Sequence, residues 1–128
     1  MNWQEFTKRA IFTPFLDHGR SYDGWDCWGL VYIAYRDVLG VDIPSYDEAY
    51  TDTGKFKELH KAFSSGLDAW KKKDETGSVA LILRRNLPIH VGILVGKSMV
   101  LHCEKSVGTI QEPRANMRIE GCYAPAWV

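Results

Sequence analysis

The chain has no surplus of either charge, no framework of regularly spaced cysteines, no apolar run long enough to cross a bilayer, and no repeat or low-complexity tract. Sixteen basic side chains cancel sixteen acidic ones, so no overall field draws the protein to nucleic acid or to an anionic membrane. The one basic run, Lys71-Lys72-Lys73, runs into Asp74-Glu75. It reads as a solvated loop, because so short a cluster makes too few phosphate contacts to hold a nucleic acid. Three cysteines, Cys27, Cys103 and Cys122, are an odd number at irregular spacing. That argues against a disulfide scaffold and fits synthesis in a reducing compartment. The start, Met1-Asn2-Trp3-Gln4-Glu5-Phe6, has neither a basic leader nor a following apolar stretch with a cleavage site. No signal peptide and no membrane insertion are expected.

What is present fits a single domain over residues 1–128, long enough to bury a core without staples. Asn2 with Glu5 three residues on predicts a capping box and a helix to about Ala10, with Trp3, Phe6 and Ala10 on one face. Gly19, Gly24, Pro14 and Ser21-Tyr22-Asp23 mark residues 13–24 as a loop. Leu30, Val31, Ile33, Ala34, Val38 and Leu39 recur at helical spacing, and Gly40 supplies a left-handed stop. This predicts a largely buried helix with Cys27 in its first turn. Phe56, Leu59 and Phe63 suggest a third, short helix. From Ser78 onward the periodicity becomes that of strands: 78–83, 89–95, 98–104, 107–111 and a stretch within 117–127. Helices followed by a strand meander predict an α+β fold, with a mainly antiparallel sheet packed on the helices.

Three residues in this layout carry chemistry. The amides at a helix start favour a thiolate at Cys27 and offer donors to a developing oxyanion, while Gly29 lets a substrate carbonyl approach the backbone. The plainer alternative is a small buried cysteine. His90, inside Pro88-Ile89-His90-Val91-Gly92-Ile93, can take the thiol proton, or it can be a core histidine bonded to a backbone carbonyl. His102 follows twelve residues later. A turn centred on Gly96 pairs 90 with 102 and puts both rings on one sheet face; a two-residue Gly96-Lys97 turn pairs 90 with 103 and turns His102 away. Gly92 lies on the His90 face and leaves room there for a helix end or a ligand.

At Gly24-Trp25-Asp26-Cys27-Trp28-Gly29-Leu30-Val31, Gly77-Ser78-Val79, His90-Val91-Gly92-Ile93 and Leu101-His102, the chain resembles the NlpC/P60 superfamily of papain-like cysteine peptidases, above all its small members encoded with bacteriophage tail genes. The resemblance implies a papain-like fold with Cys27 as nucleophile, His90 as base and His102 orienting it. It implies cleavage of peptidoglycan stem peptides between D-γ-glutamate and a diamino acid or lysine. Asp26 would then bind the stem peptide's free amino group, with a helix cap as its equal alternative. Tyr22 matches a family tyrosine near the oxyanion site only loosely. Trp28 stands where many cell-wall members have Ser and would narrow the cleft. Ser78 replaces a usual Asp. Phage tail-tip proteins are the implied partners, and the particle or host lysis would carry the protein to the wall. No cofactor or metal is implied.

Two other readings stay open. Cys27, His90, His102 and Cys103 could form a zinc set, although 102 and 103 point to opposite faces of a strand. The fold could also serve as a non-catalytic tail component, or as an amidase or acyltransferase with the same Cys-His pair.

Overall fold

The computed structural model describes residues 1–45 and 70–127. The expected helix at Phe56–Phe63 lies outside them. The first helix, α1 (Trp3–Ala10), opens on the capping box: the Asn2 side chain accepts from the Glu5 amide at 2.8 Å, and Glu5 returns the contact to the Asn2 amide. Phe6 and Ala10 are its buried face. The segment read as loop contains a minimal hairpin, β1 (Arg20–Ser21) with β2 (Gly24–Trp25). Two-residue strands are too short to show a period, so the sequence pattern is silent on them. The second helix, α2 (Cys27–Ala34), is buried nearly all round. It runs on into a widened π turn over Tyr35–Leu39, and Gly40 stops it at φ +66°, as its position required.

Six strands make the antiparallel sheet: β3 (Trp70–Lys72), β4 (Val79–Arg84), β5 (Leu87–Val95), β6 (Met99–Glu104), β7 (Gly108–Pro113) and β8 (Ile119–Pro125). Their spatial order is β3-β8-β4-β5-β6-β7. The α+β expectation is met. The lysine run is not a loop, since Lys71 and Lys72 belong to edge strand β3, which pairs with β8, and their side chains are exposed. Charged residues on an edge strand discourage further strand addition.

Alternation divides the sheet chemically. Val79, Leu81, Val91, Ile93, Leu101 and Cys103 pack with Phe6, Trp25, Cys27, Leu30 and Ile33 in the helix-side core. Ala80, Ile82, Leu94, Val100 and Cys122 form a smaller cluster on the other face. By the same two-residue period, His90, Gly92, His102 and Glu104 belong with that second face.

The β5–β6 register differs from both spacings considered above. Val95 pairs with Met99, Leu94 with Val100 and Ile93 with Leu101, leaving Gly96-Lys97-Ser98 as a three-residue turn with Gly96 at φ +69°. Each pair sums to 194 rather than 192 or 193. Parity survives, so His90 and His102 still share a face. The partner changes: continued beyond Ile93–Leu101, the last pair of the ladder, this register brings His102 to Gly92 and Glu104 toward His90, whose Nε2 is 3.7 Å from Glu104 Oε1. Gly92 leaves no room for a ligand either, because a Cβ there would meet Val100 Cγ1 at 2.8 Å and His102 Cβ at 3.1 Å. Its missing side chain is the space that the His102 strand fills.

Candidate active site

Asp26 builds the start of α2. One carboxylate oxygen accepts from the Gly29 amide at 2.8 Å and from Arg20 Nη1 at 2.8 Å, and the other accepts from the His18 amide at 2.9 Å. This is an N-cap with a buried ion pair behind it, and Asp26 has no exposed surface. Gly29 serves the same joint. A Cβ there would stand 2.2 Å from the Gly19 carbonyl oxygen and 2.8 Å from Trp25 Cβ, so the glycine lets the 19–20 backbone lie against the helix. Trp28 is fully buried, with its indole N–H donating to the Pro44 carbonyl at 2.8 Å and its ring set edgewise on Trp70. Tyr22 is half-buried between Phe6 and Trp25, and its hydroxyl donates to Asp37 at 2.6 Å. Burial, then that bond, pushes its pKa up to about 12. The structure thus uses Asp26, Trp28 and Gly29 to support the start of α2 at Cys27, and ties Tyr22 to the turn that follows α2.

Cys27 is 4% exposed. The backbone N–H groups of Val91 and Trp28 act on its sulfur and favour the anion. Burial and the neighbouring Asp26 carboxylate outweigh them and push the thiol pKa well above its ordinary value. The helix start therefore does not leave a resting thiolate, because burial, and after it the capping Asp26 carboxylate, keep the proton on the sulfur. Cys27 is a thiol next to the peptide that joins His90 to Val91. Cys103, also buried, donates its S–H to the Trp25 carbonyl at 3.4 Å and fastens β6 to the approach to α2.

The two histidines come together. His90 Nε2 lies 3.0 Å from His102 Nδ1, with the rings edge to face. Two acidic residues that the sequence reading missed complete the group. Glu112 Oε1 is 2.9 Å from His102 Nε2. Glu104 Oε1 is 3.3 Å from His102 Nδ1 and 3.7 Å from His90 Nε2, and it is ion-paired with Arg84. A period-two reading of β6 places 104 on the His102 face. Finding Glu112 also needs the β6–β7 register, which sets Val100 against Glu112.

These contacts limit the tautomers. A carboxylate only accepts, so His102 donates from Nε2 to Glu112, while its Nδ1 faces both His90 Nε2 and the Glu104 carboxylate, accepting from the first or donating to the second. With His102 Nδ1 as acceptor, His90 Nε2 is the donor between the rings and His90 Nδ1 is unprotonated. Arg84 pairs with Glu104, and the contact with His102, followed by His90 and Arg84, holds the Glu104 pKa down at about 2. Burial lowers His90 to about 3 despite the opposing pull of Glu104, so its ring is neutral. The Cys27 sulfur meets this strand from the helix side at the Val91 amide, whereas the neutral His90 ring lies on the other face of β5, and among the described residues the two side chains are not in contact.

The zinc set of Cys27, His90, His102 and Cys103 is not assembled, since both thiols lie with the helix-side core. Among the described residues, the metal-ligating side chains that converge are His90, His102 and Glu104.

Solved structures share this architecture. The NlpC/p60 domain of the peptidoglycan hydrolase SagA superposes with a TM-score of 0.65 at 18% identity, covering 94% of each chain. A protein of Staphylococcus aureus subsp. aureus Mu50, described as similar to a lipoprotein of the NLP/P60 family, superposes with a TM-score of 0.60 at 16% identity. That match covers 95% of this chain and 39% of the other. No curated protein matches by sequence. Residues 13–121 match the NlpC/P60 family from the loop before β1 to β8, a span that holds Cys27, His90, His102, Glu104 and Glu112, and the chain belongs to that family.

Proposed function

We propose that the protein is a cysteine peptidase that hydrolyses peptidoglycan stem peptides at the bond between D-γ-glutamate and the following diamino acid or lysine. The observation that carries this reading is the chain of contacts from Glu112 through His102 to His90, ending at the residue whose peptide borders the Cys27 thiol. Family membership and the SagA domain, whose description names a peptidoglycan hydrolase, support the substrate class.

In the proposed reaction the His90 ring first turns from the outer face of β5 toward the helix side, and its unprotonated nitrogen then takes the thiol proton as sulfur attacks the scissile carbonyl, forming the S–C bond. The Cys27 amide donates to the resulting oxyanion. The imidazolium is stabilised by His102 and by the Glu104 carboxylate, and it passes its proton to the leaving amine as the C–N bond breaks. Water, deprotonated by His90, then cleaves the thioester and frees the thiol. His102 and Glu112 orient the base, and Asp26, Trp28 and Gly29 hold the helix start in place. Because Asp26 has no exposed oxygen, recognition of the substrate amine by Asp26 requires the 18–20 segment to move.

We further propose that a larger assembly such as a phage tail tip presents the enzyme to the wall. The near-complete burial of Cys27 favours one competing reading, a non-catalytic component of such an assembly.

Digestion of purified peptidoglycan, followed by mass spectrometry of the fragments, tests the proposal. The wild type is expected to release fragments ending in D-γ-glutamate together with fragments beginning at the diamino acid, and Cys27→Ala, correctly folded by circular dichroism, to release none. Identical fragment patterns from the two proteins, or no cleavage by the wild type, would overturn it.

A further inference from the structure

His90 Nε2, His102 Nδ1 and Glu104 Oε1 form a triangle with sides of 3.0, 3.3 and 3.7 Å. A tetrahedral zinc ion with bonds of about 2.0–2.1 Å needs its ligand atoms about 3.3 Å apart, which is the average of those sides. Two imidazoles on one such ion have ring centres about 5.2 Å apart, and these two stand 5.2 Å apart. An ion can therefore replace the shared proton with little movement of either ring.

The surroundings suit a metal as well. Glu112 accepts from the outer nitrogen of His102, and a carboxylate in that position orients a ligating histidine and raises its basicity. The carboxylate of Glu104 is ionised, and its side chain is 31% exposed, whereas His102 has no exposed surface, so an ion enters from the Glu104 side. Two imidazole nitrogens and one carboxylate oxygen select zinc, cobalt or nickel over magnesium or calcium. The competing group is Arg84, which pairs with the same Glu104 oxygen but is 40% exposed and free to swing into solvent.

We propose that His90, His102 and Glu104 bind one divalent transition-metal ion such as Zn2+, with a fourth position for water, and that the ion inhibits hydrolysis by occupying the nitrogens that orient the base. Binding stands on the geometry alone. Inhibition rests on the peptidase reading.

Metal-free protein titrated with Co2+ gives the test, because tetrahedral cobalt absorbs in the visible. Expected is one ion per chain, displaced by Zn2+, with the same spectrum and affinity in Cys27→Ala, since sulfur is not a ligand. Glu104→Gln is expected to weaken binding at least tenfold. Arg84→Ala, which removes the competing cation, is expected to bind at least as tightly as wild type, an outcome that a folding defect does not produce. Absence of a tetrahedral spectrum, loss of binding in Cys27→Ala, or unchanged affinity in Glu104→Gln would overturn the site. Zn2+ is expected to stop peptidoglycan cleavage and a chelator to restore it; full activity with the site occupied overturns the inhibition. An enzyme inactive without any metal counts against the peptidase reading, while the cobalt titration still decides the site.

Discussion

Replacing Glu112 by alanine removes the partner of His102 Nε2 without touching Cys27 or His90. The lost contact is a hydrogen bond of 2.9 Å to a charged acceptor. Such bonds contribute about 1.5–3 kcal/mol when well shielded, and Glu112, with its side chain 37% exposed, belongs at or just below the low end. About 1.4 kcal/mol is a factor of ten in rate, so Glu112→Ala is expected to lower kcat roughly tenfold. KM should change little, because Glu112 acts on the base through His102 rather than on substrate. Glu112→Gln keeps an oxygen that accepts from Nε2–H and loses only the charge, so it should retain most of the activity. The assay is steady-state cleavage of a stem peptide, with imidazole nitrogen chemical shifts read by NMR to follow the tautomer of His102. A wild-type kcat in Glu112→Ala, with an unchanged His102 signal, would refute the proposed relay. So would an equal loss in Glu112→Gln, since that would make the effect one of packing.

Gly29→Ala should destabilise the protein by about 2 kcal/mol, because its Cβ lands 2.2 Å from a backbone oxygen and overpacking of rigid neighbours outweighs the helix propensity gained; a denaturant midpoint at or above wild type would show that the 19–20 segment yields easily. Acid should destabilise the wild type through His90. The unfolded chain takes up that proton as pH falls through about 6.5, the folded chain only near 3, so stability is full above 6.5 and falls by up to about 1.4 kcal/mol per pH unit between those values. Glu104, ionised in the fold down to about 2 against an ordinary 4.5, adds a second loss below pH 4.5. Urea midpoints at pH 7 and pH 5 should therefore separate in the wild type by clearly more than in His90→Asn, and equal separations would mean that His90 is not held neutral.

The elements were legible where the signal is local. The capping box at Asn2, the helix after Asp26 with its stop at Gly40, and the strands from β4 to β7 follow from side-chain period and turn residues within a few positions of each other. The edge strand at Trp70–Lys72 was not, because three residues ending in lysines carry no period and their partner, β8, lies some fifty residues on in the chain. The placement of β8 between β3 and β4 is hidden for the same reason: strand order depends on contacts that no window of sequence contains.

At the site, the sequence alone determined that a cysteine begins a buried helix, since that follows from the repeat of the backbone. It left open whether the two histidines share a face, since a change of one residue in the turn reverses it. Only the tertiary structure decided what those groups do to one another. A three-residue turn over 96–98 decided between the two face assignments, kept both histidines on one face and brought Glu104 within 3.7 Å of His90. Burial beside Asp26 kept Cys27 a thiol, and the neighbouring strand brought Glu112 to His102. A pKa and a tautomer depend on desolvation and on atoms a few ångströms away, quantities that exist only once distant parts of the chain have packed together.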